Sequence, residues 1–145
     1  MTHERTFEDL QCWQACRALR LFVARDLIPK LPKEEQFRLK DQLLRAARST
    51  TANIAEGYGR YHYQENAQFC RHARGSVFEV LDHVITAHEE RLLDDPALEK
   101  TRHLTTTAAK LLNGFINYLL RSKNESTSSR TNEVPPEYLA SAPTA

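Results

Sequence analysis

Arg60, Arg71 and Arg74, together with Tyr61 and His62, are the side chains best placed in this sequence for chemistry with another molecule. The chemistry they suit is recognition of nucleic acid: guanidinium groups pair with phosphates, and tyrosine rings stack on bases of any sequence. Tyr58, Tyr61 and Tyr63 interleave these cations in one short stretch. The segment from Phe37 to Arg74 carries seven Lys and Arg (Arg38, Lys40, Arg45, Arg48, Arg60, Arg71, Arg74) against three acids (Asp41, Glu56, Glu65), or +4. The remainder carries thirteen against sixteen, or −3, so the charge is polarised although the whole chain is only +1 with His neutral. The plainer reading of the same residues is a solvated turn whose tyrosines pack on the end of the fold.

Other chemistries find less support. Glu79 with His83, and Glu99 with His103, stand four apart, whereas carboxylate-bridged di-metal bundles use a Glu-x-x-His spacing of three. His88-Glu89-Glu90 lacks the second histidine of a zincin helix. Ser49, Ser76 and Cys70 have no base and orienting group at a constrained spacing, and Cys70 reads as a small core residue. With no glycine-rich phosphate loop either, the sequence predicts a non-enzymatic protein with no catalytic residue, no metal and no cofactor. Three cysteines, Cys12, Cys16 and Cys70, are odd in number and form no CxxC pair. That argues against a disulfide framework and against a zinc site, and a reduced cytoplasm fits them best. The N-terminus is not followed by an apolar leader-like run, and no apolar stretch approaches the roughly 18 residues of a membrane span. A soluble, cytoplasmic protein without a membrane partner is the expectation.

The elements that must position these residues are helices. A chain of 145 residues makes one ordinary domain. From about Phe7 to Ile28, Cys12, Ala15, Cys16, Leu19, Phe22, Val23 and Leu27 recur at helical spacing, and Pro29 with Pro32 ends the pattern. A second helix is predicted from Lys33 or Glu34 to Gly57, a third from Tyr63 to Arg91, and a fourth from Asp94-Asp95-Pro96, where an Asp can cap, to about Ser122. The sequence thus predicts a bundle domain over 1–122 and a polar tail over 123–145, too poor in apolar residues to offset its chain entropy and expected to be disordered.

Two features of the second helix call for partners. Leu39, Leu43, Ala46, Thr50 and Ile54 form one stripe, while Phe37, Leu44, Ala47, Thr51 and Ala55 form another about 100° round the helix. Leu44, Ala47 and Thr51 are therefore candidates for a subunit interface, the alternative being a wide apolar arc inside one chain. If the second and third helices form a hairpin, a register centred on their turn sets Ala46 against Gly75 and Arg45 against Ser76, with Gln42 or Arg45 near Glu79. Gln42, Arg45, Ser76 and Glu79 are then a structural polar network, and Asn53 and Glu56 tie the second helix to its turn beside Gly57, expected to end that helix.

The run Gln42-Leu43-Leu44-Arg45-Ala46-Ala47-Arg48-Ser49 leading into Asn53-Ile54-Ala55-Glu56-Gly57, then Ala73-Arg74-Gly75-Ser76 with Glu79 one turn on, resembles the family of 23S ribosomal RNA intervening-sequence proteins. Phe7, Leu10 and Trp13 fit the opening of that family, and the likeness spans about Phe7 to Leu120. Pro32 to Phe37 departs from the family's shorter loop, and the tail lies outside the match. The resemblance implies an all-α, up-down-up-down left-handed four-helix bundle, assembly as a homopentamer, and a bacterial host. A similar branch, the accessory proteins of diversity-generating retroelements, implies RNA or DNA and a reverse transcriptase as partners. The alternative to nucleic-acid binding is a structural scaffold for a protein partner.

Overall fold

The computed structural model describes residues 4–35, 37–125 and 134–141. Four helices run antiparallel to their sequence neighbours: α1 (Gln11–Phe22), α2 (Leu39–Tyr58), α3 (Tyr63–Glu89) and α4 (Asp95–Glu125). α2 packs on α3, α3 on α4, and α1 closes the square against both α4 and α2. This is the up-down-up-down bundle read from the sequence. No strand occurs among the described residues, the nearest approach being one isolated bridge between Leu10 and Leu139.

Each helix buries the stripe its spacing marks. Leu19, Leu43, Ile54, Val77, Val80, Val84, Leu112 and Leu119 are fully buried on the common axis. α1 is shorter than its pattern because the chain first makes a turn over Phe7–Asp9, where the Thr6 hydroxyl accepts from the Glu8 amide and the Asp9 carboxylate from the Thr6 amide. At its other end the helix widens into a π turn over Val23–Leu27 ahead of Pro29, which rotates both Val23 and Leu27 fully inward. α4 starts as expected, with the Ala97 amide donating to the Asp94 carboxylate at 3.0 Å. Inside it, buried Thr101 and Thr105 return their hydroxyl protons to the carbonyls one turn back, so neither is left unpaired.

Of the tail expected to be disordered over 123–145, two described stretches have a defined place. Lys123 continues α4, and 134–141 lies on the bundle: Val134 is buried and the Tyr138 ring stacks on Tyr118 at 4.8 Å. A half-buried tyrosine stacked on a buried one stabilises such a segment where its polar composition could not. Residues 126–133 and 142–145 lie outside the described residues.

Candidate nucleic-acid interface

The site is built on the α2–α3 turn, and Gly57 sets its geometry. A Cβ at Gly57 would stand 2.7 Å from Asn66 Oδ1 and 2.8 Å from Phe69 Cβ, so α3 lies directly against α2 at this glycine. Gly57 does not end the helix, contrary to expectation; α2 continues to Tyr58, and no glycine among the described residues has positive φ. Seating Asn66 and Phe69 on Gly57 moves the register about one helical turn from one centred on the loop. Ser76 consequently meets Ser49 at 2.8 Å, not Arg45. Asn53 donates to the Ser49 hydroxyl and carbonyl at 2.8 and 2.9 Å, completing a small polar seam.

The other members of the predicted network sit elsewhere. Arg45 turns outward to Asp41 at 3.0 Å, and Gln42 is exposed. Glu79 reaches only His83, at 3.6 Å. Glu56 pairs with Arg60 at 2.9 Å across one exposed turn. Gly75 has no atom within 4 Å of a Cβ built on it, so it permits no close approach to Ala46 or to anything else in the chain.

Of the three tyrosines, two belong to the fold. Tyr58 packs edge-on to Phe7, and buried Tyr63 packs edge-on to Tyr118. Tyr61 alone stands out, 53% exposed and held at φ 61°, a left-handed backbone that a non-glycine residue adopts at a cost of about 1 kcal/mol or more. The cations differ in the same way. Arg60 lies over the Phe69 ring at 5.2 Å while paired with Glu56, and Arg74 donates to Asn113 at 2.7 Å.

Arg71 and His62 line an open cleft of about 630 Å³ with Gln64, Glu65, Gln68 and Lys123. His62 precedes the first turn of α3, whose free amides and positive dipole end face the same side. The cleft joins cations from two helices, an arrangement that can hold a phosphate, and the residue before His62 is the exposed Tyr61, a ring able to stack a base. Lys123 and Gln68 were missed in the sequence. Hairpin arithmetic applied to α3 and α4 about their Arg91–Asp94 turn would have brought Lys123 to His62.

The predicted subunit-interface residues divide as well. Ala47 is fully buried and Thr51 nearly so, and Arg20 of α1 donates to the Thr51 hydroxyl at 2.7 Å. Of the second stripe, Ala47 and Thr51 are thus covered within the chain, Leu44 and Ala55 are half-buried, and Phe37 is 89% exposed. Leu44 is half-buried and lines a shallow groove of about 330 Å³ with Arg20, Leu21, Ala24, Arg48 and Thr51.

Among the described residues no three His, Cys, Asp or Glu side chains converge as a metal site requires. Cys12, Cys16 and Cys70 are free and buried. Burial pushes the Cys16 and Cys70 thiols up to about 12, and raises Cys12 with help from its two neighbours, which leaves little thiolate for nucleophilic chemistry. No helix among the described residues is long and apolar enough to cross a membrane. A family model described as 23S rRNA-intervening sequence protein matches residues 8–114. No curated protein matches the chain.

Proposed function

Because the chain belongs to the 23S rRNA-intervening sequence protein family, we propose that it is a non-catalytic bundle that binds nucleic acid at the free end of its α2–α3 hairpin. The observation that carries this reading is the cleft itself, where Arg71, His62 and Lys123 meet, with exposed Tyr61 in a strained backbone one residue before His62 in the chain. Arg60 and Arg74 serve at the rim, held in place by Glu56 and Asn113. Self-association into a ring, pentameric as the resemblance implies, would repeat the cleft and add weak contacts through effective concentration. Leu44, still half-buried in the single chain, is the residue that favours such a contact.

Binding of structured RNA and DNA probes, measured by anisotropy over a salt series, tests the reading. Affinity should fall steeply with salt, and Arg71→Ala with Lys123→Ala should flatten the slope by up to about 2, roughly one per lost phosphate contact. Tyr61→Gly should instead weaken binding by about 1–3 kcal/mol at every salt concentration while leaving the slope alone, because stacking releases no counterions. Absent or salt-insensitive binding across all probes would sink the proposal and favour a protein-partner scaffold, such as one serving a reverse transcriptase.

A further inference from the structure

The segment over 134–141 is seated like a ligand. Its floor is the start of α1 and the C-terminal half of α4. Pro135 is in polyproline II geometry (φ −59°, ψ 147°), and the Pro136–Tyr138 turn then drops the Tyr138 ring onto Tyr118 and Phe115 at 4.8 and 6.0 Å. Arg121 donates to the Tyr138 hydroxyl at 3.1 Å. Main-chain pairing completes the seat: the Ala140 amide donates to the Asp9 carbonyl at 2.7 Å, Leu139 bridges Leu10, and Gln11 donates to the Leu139 carbonyl at 3.1 Å. This combines three ways in which folded domains capture peptides: a preformed proline stretch, an aromatic anchor and strand addition.

Of the segment only Val134 is buried, and the rest lies half-buried or exposed on the bundle surface. Beside the segment a partly open crevice of about 210 Å³ remains, lined by Cys12, Gly114 and Phe115 of the bundle and by Glu137 and Tyr138 of the segment. The segment and its main anchors Phe115, Tyr118 and Arg121 lie outside the span that matches the family, 8–114. Its link to α4 is the eight residues 126–133, a reach of at most about 29 Å. None of the contacts depends on the segment and the groove belonging to one chain.

We propose that this groove is an exchangeable peptide-docking surface, whose occupant is the 134–141 segment, supplied by its own chain here and by a second copy on exchange. Swapping an identical element conserves every contact, so its equilibrium is set by concentration and linkage. In one chain docking of the segment is intramolecular, and an incoming copy competes only when the resident one is weakened.

A fluorescein-labelled peptide of residues 134–141, titrated into full-length protein and followed by anisotropy, tests this. It should bind the Tyr138→Ala full chain at least tenfold more tightly than the wild type, whose own segment competes. The same peptide carrying Tyr138→Ala, or scrambled, should not bind. No binding of the intact peptide to a Tyr138→Ala chain that still melts cooperatively would overturn the proposal, as would equal binding of the scrambled peptide. Hydrogen exchange in the wild type supplies a measurement free of mutation. The Ala140 amide should exchange at least a hundredfold faster than that of buried Leu112, and equally slow exchange would make the segment a permanent part of the core.

Discussion

Replacing Gly57 and Gly75 by alanine, one at a time, should change stability in opposite directions. Both glycines lie inside helices, where alanine is intrinsically better by about 1 kcal/mol. At Gly75 that preference acts alone, since no atom lies within 4 Å of the new Cβ and the position is exposed. Gly75→Ala should therefore stabilise by about 0.5–1 kcal/mol. At Gly57 the new Cβ would meet Asn66 Oδ1 at 2.7 Å, Phe69 Cβ at 2.8 Å and the Asn66 carbonyl at 3.2 Å. Ordinary contact begins near 3.5 Å, so α2 and α3 must part by most of an ångström. Neither neighbour is the loose end of a long side chain. Asn66 is fully buried and accepts from the Cys70 thiol at 3.5 Å, and the other contacts are a Cβ and a main-chain oxygen. Overpacking of this kind costs about 1–3 kcal/mol, more where backbone must move, which outweighs the propensity gain and leaves a net loss of about 1–2 kcal/mol. For a domain of this size, melting temperature should fall by about 3–8 °C for Gly57→Ala and rise by about 2–4 °C for Gly75→Ala. Circular dichroism melts at one fixed protein concentration measure both, with urea titrations to verify that m is unchanged. A neutral or stabilising Gly57→Ala would refute the claim that the hairpin register is anchored there.

Two further outcomes follow from the same packing. Leu44→Arg adds a third cation to a groove already holding Arg20 and Arg48, on a side chain half-exposed in the single chain; light scattering should show a lower mass with helicity retained, and an unchanged mass would remove Leu44 from any subunit contact. Stability should also fall as pH rises from about 9 toward 12. The folded thiols of Cys16 and Cys70 are raised from 9.0 to about 12, so across that window the unfolded chain has lost protons the folded chain keeps, and folding weakens with pH; below it the contribution is complete. Urea midpoints should decline along that limb, and Cys16→Ala with Cys70→Ala should make the decline shallower, by up to about 1.4 kcal/mol per pH unit for each thiol removed. An identical decline in the double variant would mean that the thiols do not set it.

How much of this was legible in the chain depends on the range over which each feature is fixed. The helices and the Asp94 cap are local: a period of 3.6 and an Asp ahead of a proline need no knowledge of neighbours. Arg45 and Arg60 were legible too, but by a different rule. Each has an acid four residues earlier, Asp41 within α2 and Glu56 in its last turn just ahead of Arg60, and such a partner is available before any register is chosen. Assigning Arg45 across the hairpin to Glu79 required the register to be right. That register rests on which glycine faces the neighbouring helix, and composition does not distinguish Gly57 from Gly75. The docking of Tyr138 depends on Phe115 and Tyr118 coming together on a formed α4, which the adjoining Ser- and Thr-rich stretch hides from a compositional reading.

The same distinction bears on the cleft. The polarised charge of residues 37–74 is a property of the sequence, but charge alone does not say which cations remain available to a ligand. Local and cross-helix partners occupy Arg45, Arg60 and Arg74, and each such exposed pair is worth little enough, about 0–1 kcal/mol, that a phosphate can compete for it. Arg71 and Lys123 face one cleft from two helices, so a phosphate bound between them would draw on both, with Glu65 the carboxylate that lines the same cleft. A nucleic-acid interface at this end therefore depends on convergence of cations in space. It would survive the loss of Arg60 or Arg74, and it would not survive a salt slope unchanged by the loss of Arg71 and Lys123 together.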